Sequence, residues 1–108
     1  MQYLLLIYEN EKRFSQGYDE TEYQAFGEEF AQPIKGGNAL QPTATAKAVR
    51  IRKGKAAATD RPFAETKEQL GGYYLVDAVD IQEAETMAAR IPGARFGSVE
   101  IRPIMNFA

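Results

Sequence analysis

Between Asp60 and Glu68, five ionisable side chains fall within nine residues: Asp60, Arg61, Glu65, Lys67 and Glu68. Gly71-Gly72 and Tyr73-Tyr74 follow at once. Acids, cations and phenols at this density are the parts needed for proton transfer on a small molecule. Asp60 would be the general base, its pKa raised by burial. Arg61 or Lys67 would hold an anionic substrate or stabilise a developing oxyanion. Tyr73 or Tyr74 would orient it, with Glu65 lining the same ligand site. The competing reading is structural: Asp60 accepts backbone N–H bonds in a turn, and Glu65, Lys67 and Glu68 form solvated ion pairs worth little. Arg50, Arg52 and Arg102 sit on polar strand faces, where they would line an anion site or simply face water.

Composition narrows this chemistry. The chain has 108 residues, enough for one domain with one core. It is 44% hydrophobic and 26% charged, which argues against wholesale disorder. The formal net charge of −2 argues against a nucleic-acid partner. There is no cysteine, so disulfides, thiolate metal sites and a Cys nucleophile are excluded, in keeping with a cytoplasmic location. There is no histidine either, which removes the commonest general base near neutral pH and every Ser-His arrangement. Asp60, Glu65 and Glu68 lack tight metal-ligand spacing, so no metal is expected. The glycine pairs Gly36-Gly37 and Gly71-Gly72 are not phosphate or dinucleotide fingerprints, so no cofactor is expected. The apolar run Met1 to Tyr8 lacks a basic flank and is far shorter than the roughly 20 residues of a membrane span. No membrane association is expected.

The elements that must position these residues can be read in order. Gln2 to Tyr8 is a strand, apolar on both alternating faces. Residues 10–18 are polar and read as a loop. Asp19 with Glu22 is a capping-box pattern that opens a helix. Tyr23, Phe26 and Phe30 form its apolar stripe, Ile34 extends it, and Pro33 with Gly36-Gly37 ends it. Asn38 to Gln41 is a short strand. Residues 46–60 read as a β-hairpin, with Val49 and Ile51 on one face, Arg50 and Arg52 on the other, and a turn at Lys53-Gly54-Lys55. Ala64 to Leu70 allows one or two helical turns that Gly71-Gly72 would end. Tyr73 to Asp77 is a strand. Asp80 caps a second helix with Ile81, Ala84, Met87, Ala88 and Ile91 as its stripe, ended by Pro92-Gly93. Gly97 to Ile104 is the last strand.

With the 46–60 hairpin set aside as an insertion, the order is βαββαβ, an α+β fold of ferredoxin-like type. Two helices cover one face of such a sheet. The open face would carry apolar residues of the first strand and tyrosines of the third, a patch suited to a homodimer partner.

The stretch TDRPFAETKEQLGGYYLVDAVDIQEAETMAARIP, followed by GSVEIRPI and preceded by LQPTATAKAVRIRKGK and MQYLLLIYENE, resembles the DGPF branch of the YCII-related family across essentially the whole chain. The resemblance implies a single domain over residues 1–108 and a dimeric α/β barrel made of two ferredoxin-like subunits. It also implies a bacterial protein of uncharacterised reaction, some relatives being linked to alternative sigma factors. Two departures stand out. The family's Asp-Gly-Pro-Phe is Asp60-Arg61-Pro62-Phe63 here, which places a side chain where glycine is usual. The His–Asp pair suspected in the broader family has no histidine to supply it, which leaves Asp60 as the candidate. The function expected is therefore a lyase-, isomerase- or hydrolase-like enzyme with a carboxylate in a cleft near residues 60–74. The alternative is a non-catalytic ligand-binding or regulatory protein.

Overall fold

The computed structural model describes residues 1–14, 20–60 and 67–107. Among the described residues six strands and three helices follow one another: β1 (Gln2–Glu9), α1 (Glu11–Phe14), α2 (Glu20–Glu29), β2 (Ile34–Ala39), β3 (Lys47–Arg52), β4 (Lys55–Asp60), β5 (Gln69–Asp77), α3 (Ile81–Arg90) and β6 (Ser98–Pro103). Short 3-10 turns occupy Thr43–Thr45 and Pro92–Arg95. β2, β5, β1 and β6 form a four-stranded sheet in that spatial order, antiparallel throughout. β3 and β4 form a separate two-stranded ribbon.

The apolar first strand takes the centre of the sheet, hydrogen-bonded along both its edges to β5 and β6. Tyr3, Leu5 and Ile7 point to one side and are buried; Leu4, Leu6 and Tyr8 point to the other and are half-buried. The core lies on the first side. Leu5 pairs with Tyr74 of β5 and Ile101 of β6. Phe26 of α2 and Ala84, Met87, Ala88 and Ile91 from α3 and its C-terminus close over this surface. Leu5, Val76, Met87 and Ile91 are almost completely shielded from water. Each such side chain contributes roughly 1.5–3 kcal/mol through burial. Asp80 caps α3 by accepting a 2.9 Å hydrogen bond from the Glu83 amide. The pattern thus delivers that helix end as the sequence predicts, although Ile81 in its first turn remains 38% exposed.

Several boundaries differ from the sequence reading. Glu11–Phe14 forms a helical turn inside the segment expected to be a loop. β2 begins at Ile34 rather than Asn38 and takes Gly36-Gly37 into a strand. The expected helix stop is therefore a strand interior, and Ile34 belongs to the sheet instead of the helix stripe. The reason is tertiary. β2 lies so close to β5 that a Cβ on Gly37 would approach the Tyr73 carbonyl oxygen to 2.7 Å and the Tyr74 ring to 2.8 Å. Gly71-Gly72 likewise lie within β5, which starts at Gln69. Of the helical turns expected over Ala64 to Leu70, Gln69 and Leu70 are strand and Lys67-Glu68 a bend instead; Ala64 to Thr66 lie outside the described residues, as does the Asp19 cap. The 46–60 hairpin is present, its two-residue turn made by Lys53 (φ 52°) and Gly54 (φ 75°), as a right-twisted hairpin requires.

Candidate functional site

A cleft of about 230 Å³ opens between α2 and the end of the sheet where β1, β2 and β5 meet. Ile7, Glu9, Tyr23, Tyr74 and the glycines of β2 and β5 line it. Gly37 and Gly72 let β2 and β5 approach closely on its strand side: an added Cβ would come within 2.7 Å of the Tyr73 carbonyl oxygen at the first and 3.1 Å of the Asn38 carbonyl oxygen at the second. The register of β1 against β5 shifts at the same place, from Ile7 opposite Gly72 to Tyr8 opposite Leu70. Such irregularities re-aim side chains and recur beside active sites.

Glu9 is the acid in this cleft. Strand alternation carries it onto the same face as Tyr3, Leu5 and Ile7, and it is 6% exposed, the sole charged residue in the core among the described residues. Burial pushes its carboxyl above the ordinary carboxylate range. Arg13 opposes the shift, and the negative charge of Glu68 reinforces it. Arg13 is itself held over the Phe96 ring, its guanidinium carbon 3.4 Å from the centroid, a cation–π contact.

Tyr23 of α2 stands beside Glu9. Its phenol is pushed up to about 12, first by burial and then by the charge of Glu9, with a backbone hydrogen bond from Gly93 and the charge of Arg13 pulling the other way. Gly93, in the turn after α3, packs behind these two side chains. A Cβ there would lie 2.8 Å from Glu9 Oε1, 3.0 Å from Ile7 Cγ2 and 3.1 Å from the Tyr23 hydroxyl. Tyr74 completes the wall, tilted against Phe26 at a 5.0 Å centroid distance, and burial raises its phenol as well. A protonatable carboxyl beside a phenol in a mostly apolar cleft can give a proton to a bound molecule or take one from it.

The residues singled out in the sequence are distributed differently. Tyr73 and Tyr74 both border the cleft, but their side chains leave opposite faces of β5. The Tyr73 hydroxyl accepts a 2.9 Å hydrogen bond from Asn38 Nδ2. Lys67 is exposed and borders a shallower hollow with Tyr8, Glu68, Phe96 and Ser98. Asp60 closes β4 at the base of the ribbon, with its side chain 84% exposed and 3.6 Å from Lys47 Nζ. It is not among the cleft-lining residues. Arg61 and Glu65 lie outside the described residues. Glu9 and Tyr23 were not singled out from the sequence. Two-residue alternation puts Glu9 on the face of Tyr3, Leu5 and Ile7, but with both faces of the strand apolar only the packed helices make that face inward.

Comparison with known proteins agrees with this architecture. A family model of the YCII-related domain matches residues 1–108. An uncharacterised protein of Rhizobium meliloti (strain 1021) is 43% identical over 67 residues, which is 60% of this chain and 54% of that protein. The chain thus spans about half the length of this curated relative. The structure of 5-chloro-2-hydroxyhydroquinone dehydrochlorinase from Burkholderia phenoliruptrix AC1100, in complex with 2,5-dihydroxybenzoquinone, superposes with a TM-score of 0.59 at 13% identity, covering 97% of this chain and 94% of that one. At that identity the likeness is one of fold. Among the described residues no helix is long and apolar enough to cross a membrane.

Proposed function

The chain belongs to the YCII-related domain family, and on that premise we propose that it is a small-molecule enzyme of lyase or isomerase type, with Glu9 as the group that moves the proton. The observation that carries this reading is a buried carboxyl with a raised pKa at the wall of a cleft. A carboxyl perturbed by desolvation in a concave site is a functional-site candidate on physical grounds. Tyr23 donates a hydrogen bond from its phenol to a substrate oxygen, stabilising charge that develops as Glu9 acts. Asp60, exposed and 3.6 Å from Lys47 Nζ, takes no part in the chemistry in this reading.

The cleft is lined mainly by apolar and aromatic surface, and its acid is pushed toward the neutral form. Both features favour an uncharged cyclic substrate with a carbonyl or hydroxyl over the small anion suggested by the arginines. The quinone named with the structural neighbour belongs to that class. It supports including hydroxylated quinones among the probes.

Two finer readings accompany this one. The spatial order β2-β5-β1-β6 supports a ferredoxin-like unit, and the Asp60–Tyr74 stretch supports membership of the DGPF branch. The open face of the sheet, with Leu4, Leu6 and Leu75 half-buried, supports homodimer formation through that face.

The test is thermal unfolding in the presence of cyclic ketones, lactones, phenols and hydroxylated quinones, on the wild type, Glu9→Gln and Asp60→Ala. A ligand at one hundred times its dissociation constant stabilises by about 2.7 kcal/mol. We expect a shift that Glu9→Gln abolishes and Asp60→Ala retains. A shift lost in Asp60→Ala instead would return the site to the 60–68 segment. No shift with any class would favour the non-catalytic reading.

A further inference from the structure

We propose that the β3–β4 ribbon is an arm that docks on the acidic body of a second copy of this chain. This goes beyond pairing through the open sheet face and does not depend on it.

The ribbon stands apart from the core. Every residue of β4 is exposed, and so is every residue of β3 except Ala48. The molecule measures 46 × 43 × 18 Å, with a radius of gyration of 15.6 Å. About 13 Å is usual for a compact chain of this length. A two-stranded hairpin in water is marginally stable at best, because it has no third layer to cover a face. This one nonetheless has a face to cover. Val49 pairs with Ala58 and Ile51 with Ala56 on one side. Val49 is 65% and Ile51 67% exposed. Arg50, Arg52 and Lys55 occupy the other side.

Charge identifies the occupant. Residues 47–60 hold five basic side chains, Lys47, Arg50, Arg52, Lys53 and Lys55, against the single acid Asp60. The whole chain has 13 basic and 15 acidic residues, so the remainder holds eight basic and fourteen acidic. The ribbon is therefore +4 and everything else −6. The segregation is visible at the element level too: α2 contains Glu20, Glu22, Glu28 and Glu29 and no basic residue, and while Glu22 and Glu29 are paired with Arg95 and Arg90, Glu20 and Glu28 are exposed. A strongly cationic arm joined to an anionic body is complementary to another copy of itself. Opposed potentials of this kind steer association and fix register. The apolar face of the arm supplies the burial that charge alone does not.

Two measurements test this. The dimer dissociation constant is determined by sedimentation for the wild type, Ile51→Asp, Arg50→Glu/Arg52→Glu and the sheet-face variant Leu6→Asp, with circular dichroism confirming that each is folded. We expect the two ribbon variants to weaken the dimer by about tenfold each, and wild-type affinity to fall with added salt. A sheet-face dimer without arm docking would respond to Leu6→Asp alone, which overturns the arm while sparing that interface. In the second measurement, chains carrying a nitroxide at position 57 are mixed with isotope-labelled, unmodified chains. Broadening of amide signals from the labelled body is expected. Its absence overturns the proposal. So does a wild type that stays monomeric, or one whose ribbon binds a DNA or RNA oligonucleotide while the ribbon variants leave self-association unchanged.

Discussion

Glu9 and Tyr23, which come from a strand and a helix, converge on one glycine. A single added carbon at Gly93 would stand 2.8 Å from the carboxyl of the first and 3.1 Å from the phenol of the second. The proximity is electrostatic as well as steric, since the charge of Glu9 is one of the causes that hold the Tyr23 proton in place. Tyr23 therefore feels the ionisation of Glu9.

Glu9 makes the protein less stable as pH rises. Its folded pKa lies above the ordinary value of 4.5, so the unfolded chain ionises first. The penalty is absent below the unfolded value and grows as pH passes through the raised folded one. Glu9→Gln should accordingly unfold at a higher temperature than the wild type at neutral pH, and the gap should close on acidification to below 4.5. Thermal midpoints across an acid-to-neutral series check this. A variant less stable by the same margin at every pH would rule it out.

Tyr23 predicts the alkaline limb. Its phenol ionises near 12, against 10 for an ordinary tyrosine, so the folded state resists ionisation that the unfolded chain accepts. Stability falls between these two values. Tyr23→Phe removes the cost and should extend the stable range upward. Absorbance titration of phenolate should show its latest step missing in the variant.

Gly93→Ala should damage the cleft from behind. The new methyl meets Glu9, Ile7 and the Tyr23 hydroxyl inside ordinary contact distance. Overpacking of this sort costs typically 1–3 kcal/mol, and the carboxyl can relieve it only by moving into the cleft. Lower thermal stability combined with loss of any ligand that shifts the wild type is the expected pair of results. Unaltered ligand binding would remove Glu9 from the site.

The remaining frame follows ordinary helix and core energetics. Asp80→Ala removes the side-chain cap of α3 and should cost about 1 kcal/mol, which is roughly 4–8 °C in midpoint for a domain of this size. Met87→Ala, at a residue 1% exposed, should cost roughly 2–5 kcal/mol. Chemical denaturation distinguishes them by size. An Asp80 effect as large as that of Met87 would mean that the cap also holds the chain leading out of β5.

What the sequence determined by itself is what short-range physics encodes. Asp80 capped its helix because the cap and its amide partner are three residues apart. The 46–60 hairpin formed because Lys53-Gly54 tolerates positive φ. Alternation placed Tyr3, Leu5, Ile7 and Glu9 on one face of β1, but both faces are apolar in sequence, and only the helices packed on that face made it the core. The tertiary structure decided the rest. Gly36-Gly37 and Gly71-Gly72 read locally as stops, yet they are strand interiors, because their role is set by strands that approach from far along the chain. The cleft depends on the register of β1 against β5 and on a glycine some eighty residues beyond Glu9. Whether a charged residue is solvated or confined depends on what other elements place over it. Asp60, in the densest run of charge, came to lie in solvent, and Glu9, at the end of an apolar strand, came to lie in the core.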